Sequence, residues 1–446
     1  MSETRSLSLG CLRMIPLLMP ALQVPQAVAP SDTATLITQE RGPSLDSGRL
    51  LLPPGAHVVF SVHGKALEHR GIGVSALGDV DDDGVPDFLV GSMIGAYTFY
   101  FGPGQVTAYS GRTGARLYSV DGMQLEEGDA FGDTIAPLGD VNDDGTPDFA
   151  VTGWRAHNFM GYARVYSGRD GTQLHEVRGG SDFGEGALAA GDSDGDGKGD
   201  FIILGGGRTF LFSGSSGNLI MALPGSALAS LPSSEAHGLP TILSYDGRFG
   251  TAIGGANLTP DTARVYRLPD GESRSEIDVD SNYASRRWIG SAGDLDGDRS
   301  ADLGILYVPG LTPEVSTSPN APTHRLRVRS SRTGDVIWES DFVAPSEGSG
   351  ARIGLGGDID GDGVGDLVVS WSARGTESNA RVEIVSGKNG SVLHRITSSE
   401  GGDALPVVCL GDLDGDSHSE ILIGDYESPL DGQCTGRAIV ISLPTE

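Results

Sequence analysis

Short apolar runs alternate with Gly- and Asp-rich breaks along most of the chain. The clearest case is residues 78–91, GDVDDDGVPDFLVG, where spaced carboxylates give way to a continuous apolar stretch. The pattern returns as GDVNDDGTPDFAVTG from Gly139, GDSDGDGKGDFIILG from Gly191, GDLDGDRSADLGIL from Gly293, GDIDGDGVGDLVVS from Gly357 and GDLDGDSHSEILIG from Gly411. Around each copy the same four apolar pieces recur. One precedes the acidic loop, as in AFGDTIAPLG at 130–139, and one follows it, as in FAVTG at 149–153. A third ends in Ser-Gly, at Gly111, Gly168, Gly214 and Gly387, and a fourth follows a turn, as in ARLYSV and TQLHEV. All are short, rich in β-branched and aromatic residues, and bounded by Gly or Asp, which predicts strands. Four-stranded units repeated at this period predict a β-propeller.

The first aspartates of the six loops lie at 79, 140, 192, 294, 358 and 412. The interval from 192 to 294 is about double the others, which predicts a further unit inside it. Its remnant is read at ILSYDGRFGTAIGG, 242–255, where Asp246-Gly247 keeps a turn but the alternating carboxylates are gone. A metal-free fourth blade is therefore expected around 225–280. The last unit stops after its third strand, RAIVIS at 437–442, while AHVVFSVHG at 56–64 has the pattern of a fourth strand. The N-terminal strand is expected to complete the last blade and remove an open edge. The predicted fold is all-β: a seven-bladed propeller of four-stranded blades over 56–446.

The loops carry the candidate chemistry. In the first, Asp79, Asp81, Asp83 and Asp87 stand at positions 1, 3, 5 and 9, with the carbonyl of Val85 at position 7. The corresponding sets are Asp140, Asn142, Asp144, Thr146 and Asp148; Asp192, Asp194, Asp196, Lys198 and Asp200; and Asp294, Asp296, Asp298, Ser300 and Asp302. The last two are Asp358, Asp360, Asp362, Val364 and Asp366, and Asp412, Asp414, Asp416, His418 and Glu420. Hard oxygen donors in this number suit Ca²⁺, up to six ions, better than Mg²⁺, which holds its own waters. The opening matches an EF-hand, but position 12 holds Val or Ile in every copy where that motif needs Glu. The chain has already entered a strand there, so each loop (79–87, 140–148, 192–200, 294–302, 358–366, 412–420) joins two strands. An unmetallated surface turn is the plain alternative for any single copy. Arg299 and Ser417 replace the Gly of position 6, which points to weaker binding in those two loops.

Composition changes the picture in three ways. The formal net charge of −29 argues against nucleic acid or an anionic membrane as partner, both of which call for Lys and Arg. Six calcium ions would offset about 12 of those charges. Residues 1–29 read as an export signal, with Arg5 and Arg13 before an apolar run at 14–24 and Ala27-Val28-Ala29 as a cleavage site, although Pro16 and Pro20 interrupt the run. A plain tail is the other reading. Residues 30–55 look like a linker. No segment is long and apolar enough to span a bilayer. Cys409 and Cys434 are either a disulfide joining the final strands or two separate thiols.

With these motifs in place, residues 56–446 resemble the FG-GAP repeat family, the propeller of integrin α heads and of many bacterial secreted proteins. The Phe-Gly pair stands at Phe131-Gly132 and Phe183-Gly184, and Gly71 and Gly350 keep its offset without the Phe. The resemblance implies calcium loops on a lower face, between the first and second strands, that brace the blade and do not touch a partner.

The opposite face would be built by loops joining second to third strands. These place Tyr97, Phe99, Tyr100, Trp154, Phe159, Trp371 and Tyr426 as a candidate recognition surface, or as residues packed locally over the rim. The resemblance implies a secreted, periplasmic or cell-surface adhesion module for an extracellular protein. A carbohydrate-binding lectin is the alternative, and a polysaccharide-cleaving enzyme the third reading. Catalysis has no motif to stand on: H-E-x-x-H, the P-loop and G-x-S-x-G are all lacking from the sequence.

Overall fold

The structure is a computed structural model that describes residues 50–65, 67–96, 99–100, 102–125, 128–231, 241–245, 262–267, 271, 273–278, 285–298, 301–308, 324–343, 351–372, 380–398, 405–415, 419–426, 429–430 and 433–444. All lie in the unit Thr35–Glu446. The segments read as an export signal, and the linker up to residue 49, lie outside the described residues.

Each apolar piece becomes one strand of an antiparallel meander. The first blade runs Val74–Gly78, Asp87–Ser92, Gln105–Tyr109 and Arg116–Asp121. The second runs Ile135–Gly139, Asp148–Thr152, Tyr162–Tyr166 and Gln173–Arg178, and the third Gly186–Gly191, Asp200–Gly205, Arg208–Phe212 and Leu219–Pro224. The fourth is Ser226–Leu231, Thr241–Tyr245, Thr262–Arg267 and Ser273–Asp278, and the fifth Ser285–Gly293, Asp302–Val308, His324–Arg329 and Val336–Phe342. A five-stranded sheet follows, in which Ala351–Gly357, Asp366–Trp371, Arg381–Val385 and Val392–Ser398 are joined at the edge by Leu50–Leu51. The closing blade combines Val407–Gly411, Glu420–Asp425 and Arg437–Ser442 with His57–His63 from the other end of the chain.

The protein is thus an all-β propeller with six four-stranded blades and one sheet of five strands. The expectation of seven four-stranded blades is corrected: six are seen, and the remaining sheet gains Leu50–Leu51 as a fifth strand, which pairs with Ser398 and Thr397. The cause is apolar burial. Leu50 is 1% exposed and joins the core between the five-stranded sheet and the closing blade, so part of the expected linker belongs to the propeller.

A second correction concerns the fourth blade. Thr241–Tyr245 pairs with Ser226–Leu231 and is its second strand. In chain order, residues 232–240 therefore fall between its first and second strands, where the other sheets have an acidic loop, and Asp246-Gly247 follow the second strand. Both segments lie outside the described residues.

The second strands Asp87–Ser92, Asp148–Thr152, Asp366–Trp371 and Glu420–Asp425 are buried along their whole length. They read as unbroken apolar runs because both faces meet a neighbouring sheet. Blade one packs through Leu89, Val106 and Val120 on Phe131, Phe149 and Tyr166 of blade two. The closing blade packs through Val62, Leu422 and Val440 on Phe88, Val90 and Tyr109 of blade one. Fourth strands also reach across: the Tyr118 hydroxyl donates to the Gly168 carbonyl, and Trp338 Nε1 to that of Gly387 at 2.6 Å. No helix among the described residues is long and apolar enough to cross a membrane.

Candidate metal centre and recognition face

All six acidic loops join the first and second strands of a sheet, as the sequence pattern requires. In five of them carboxylate oxygens of positions 1, 3 and 9 lie within 4.8 Å of one another: Asp79, Asp81 and Asp87; Asp192, Asp194 and Asp200; Asp294, Asp296 and Asp302; Asp358, Asp360 and Asp366; Asp412, Asp414 and Glu420. The remaining loop has Asn142 at position 3, between Asp140 and Asp148. Backbone N–H groups fold the loops. Asp79 accepts from Asp83 at 3.1 Å and Gly84 at 2.8 Å, and Asp140 and Asp358 accept from the matching residues. At position 6, Gly84, Gly145, Gly197 and Gly363 all take φ between +85° and +88°. A side chain is strained there, which bears on Arg299 and Ser417; residues 299–300 and 416–418, including Ser300, Asp416 and His418, lie outside the described residues.

The ninth residue does more than close the loop. Asp87 opens the second strand and is fully buried. Its Oδ2 accepts the Val80 N–H at 2.7 Å, and its Oδ1 accepts the Gly111 N–H, from the Ser-Gly turn after the third strand, at 2.9 Å. Asp148 treats Val141 and Gly168 alike, Asp200 treats Ser193 and Gly214, and Asp366 treats Ile359 and Gly387. One carboxylate therefore pins the acidic loop to the turn between third and fourth strands. Burial pushes Asp87, Asp148, Asp302 and Asp366 up to about 6; backbone donors pull down, and carboxylates of the same loop push up. Asp200 is raised for the same first reason.

This explains the Ser-Gly motif, whose role the sequence pattern alone does not reveal. A Cβ at Gly168 would stand 1.7 Å from the Pro147 carbonyl oxygen, and one at Gly214 1.9 Å from that of Gly199. Blade five carries Ser331 at this position, and its N–H reaches Asp302 only at 3.4 Å. Gly168→Ala is expected to cost about 2 kcal/mol or more by forcing the turn away from Asp148. Ser331→Gly is expected to shift the urea midpoint the other way.

Among the described residues, the fifth-position carboxylates do not join the converging sets. Asp83, Asp144, Asp196 and Asp362 each accept, on Oδ1, the N–H of position 7 (Val85, Thr146, Lys198, Val364). Their Oδ2 atoms meet donors from the turn after the third strand. Burial disfavours the Asp144 anion, but hydrogen bonds from Thr146, Asn142 and Ser167 outweigh it and hold its carboxyl well below the usual range. The donor set fits a hard divalent cation. It offers carboxylate oxygens and no soft ligand, close enough to share one ion and repelling one another without it.

On the opposite side the expected aromatic surface is sorted. Trp371 is fully buried, so its place on the recognition face is corrected. Its Nε1 donates to Glu383 at 2.7 Å, and His324 packs edge-on at 5.0 Å. Second-strand ends lie between sheets here, and an indole there is drawn into the interblade core with Phe342. Tyr426 is half-buried. Tyr97 lies outside the described residues; Phe99–Tyr100 form a small ribbon with Gly95–Ala96.

Trp154 and Phe159 do come together, at 5.6 Å, with the Arg155 guanidinium 5.9 and 5.8 Å from their rings. Trp154 is half-buried and donates to Asp133, while Phe159 and Met160 are 43% and 47% exposed. His157, Asn158 and Phe159 all have φ between +53° and +65°. Three successive non-glycine residues in that region hold a strained tip. Cys409 is a free, half-buried thiol.

Compared with known proteins, these repeats resemble the integrin α-like, FG-GAP type. Over 118 residues the chain is 32% identical to integrin alpha-4 of Xenopus laevis, a match that takes in 25% of this chain. The chain spans only 11% of that relative's length. No protein-family profile matches it. Among solved structures, crystals of BBS1N in complex with ARL6DN, soaked with lead or with mercury, superpose on it with a TM-score of 0.49 at 11% identity. They cover 87% of this chain and 97% of theirs.

Proposed function

We propose that this protein is a calcium-braced, non-catalytic propeller that recognises a protein partner outside the cell through the face opposite the acidic loops. In this reading the five-stranded sheet serves as the remaining blade of a seven-membered ring. The ions would sit among the carboxylates of positions 1, 3 and 9, where they supply positive charge that holds the loops and leaves the chemistry of the other face untouched. The carrying observation is the tip at 157–160. It keeps Phe159 and Met160 in water next to an Arg155 stacked on two aromatic rings, in a backbone held under strain. Rigid aromatic anchors with an adjacent Arg are the usual energetic centre of a protein interface. The integrin α likeness supports the same reading, as does the loss of Trp371 as a sugar platform.

The test compares the native chain with Phe159→Ser/Met160→Ser by surface cross-linking to intact cells of the source and by a glycan array, both in calcium. The native chain is expected to capture a defined protein, the variant to lose at least tenfold of that signal, and the array to stay blank. A calcium-dependent signal on related sugars would replace this reading with a lectin.

A further inference from the structure

We propose that the side chain of the Ser-Gly turn that meets the fifth carboxylate of the adjoining loop is a latch on it, and that its charge sets how tightly that loop takes calcium. The proposal rests on the calcium reading above. In blade one Arg112 donates from Nε to Asp83 Oδ2 at 3.1 Å and from a terminal nitrogen to the Asp83 carbonyl at 2.6 Å. In the five-stranded sheet Lys388 stands 3.4 Å from Asp362 Oδ2. Blade three has Ser215 at the same position, and its hydroxyl donates to Asp196 Oδ2. In blade two the contacts come from separate residues. The Ser167 hydroxyl donates to Asp144 Oδ2 at 2.8 Å, and Arg169 reaches only the Asp144 carbonyl, at 2.9 Å.

Calcium takes six to eight oxygens, more than the converging carboxylates offer singly. The fifth carboxylate is the next donor along the loop, and its Oδ2 reaches an ion only by leaving the latch. A cationic latch opposes this twice, by the ion pair that must break and by repulsion from the incoming ion. A hydroxyl latch adds no repulsion and opposes it only by hydrogen bonds, that of Ser215 to Asp196 and those of Ser167 and Asn142 to Asp144. The loops therefore divide into a weaker class, 79–87 and 358–366, and a tighter class, 140–148 and 192–200. Lys198, inside the last of these, is tied outward to Asp143 of the preceding loop. In the calcium-free protein the same cations act in the opposite sense, by neutralising loops that otherwise repel themselves.

The experiment is calorimetric titration of CaCl₂ into the native protein, Arg112→Gln, Arg112→Lys, Lys388→Gln and Ser215→Arg, with melting of each in EGTA. Arg112 is an exposed turn residue, so its variants should fold. Removing the charge is expected to tighten one site about fivefold, the effect of one screened charge on a divalent ion a few ångströms away. The same variants should melt lower in EGTA. Arg112→Lys should keep the native affinity, and Ser215→Arg should weaken one site about fivefold. Unchanged or weakened calcium binding in both Gln variants would overturn the latch and leave the calcium reading standing. A flat titration of the native protein would overturn the calcium reading itself, and the latch with it.

Discussion

Stripping calcium at pH 7.5 is expected to lower the melting temperature by about ten degrees or more. At about 1 mM calcium and a Kd near 0.1 mM, each loop adds roughly 1.4 kcal/mol, and six would add about 8 kcal/mol. The pH dependence should then change sign with the ion. Asp87, Asp148, Asp302 and Asp366 are held near 6 against an ordinary 3.8, so the folded protein binds more protons than the unfolded chain between those values. Without calcium their stabilising contribution is fully present below about pH 4 and is lost as pH rises through 6. Asp144 and Glu176, whose carboxyls are lowered, lose their contribution only at more acid pH. Calcium-stripped protein should accordingly melt higher at pH 5 than at pH 7.5. Calcium-loaded protein should do the reverse, because protons and the ion compete for the same oxygens. Scanning calorimetry at the two pH values checks both, and a melt indifferent to calcium at pH 7.5 would remove the metal from the account.

Asp129→Ala is expected to be the most damaging single substitution away from the loops, at about 4 kcal/mol. Asp129 is fully buried and accepts from the N–H groups of Gly104, Phe131 and Met123 at 3.0, 3.1 and 2.6 Å, and from the Tyr162 hydroxyl. It thereby ties the start of one third strand, the end of one fourth strand and the Phe-Gly pair of the next blade. Removing it leaves the Gly104 and Phe131 N–H groups buried without that partner, at about 1–3 kcal/mol each before relaxation, while Met123 keeps the Tyr162 hydroxyl. Tyr162→Phe removes only one donor and should cost about 1 kcal/mol. Urea unfolding in saturating calcium separates the two. A loss for Asp129→Ala no larger than that for Tyr162→Phe would mean that solvent reaches the site.

The strand order, the loop positions and the closing strand were legible because each rests on a local pattern. A repeated D-x-D-x-D-G followed by an apolar run leaves one arrangement, and a missing fourth strand at one end matches a spare strand at the other. Leu50–Leu51 was not legible, since a run of three leucines in a Ser- and Pro-rich stretch carries no periodicity. The fourth-blade register failed because its loop has lost the carboxylates that mark the others. Trp371 was misplaced because second strands end at the rim, and only the packing of the next sheet decides whether a ring there turns in or out. The double use of the ninth aspartate was hidden for another reason. Its partner is a backbone N–H from a turn some twenty residues on, which leaves no trace except an unexplained glycine.

The pairing of His57–His63 with Arg437–Ser442 also orders events in time. The strand His57–His63 finds its place only when Arg437–Ser442, far later in the chain, has left the ribosome. Until then the nascent propeller carries two exposed edges, and contacts so distant in sequence form slowly. Biogenesis should therefore be the vulnerable phase of this protein's life, and a truncation that removes Arg437–Ser442 should leave His57–His63 and Glu420–Asp425 available to other chains.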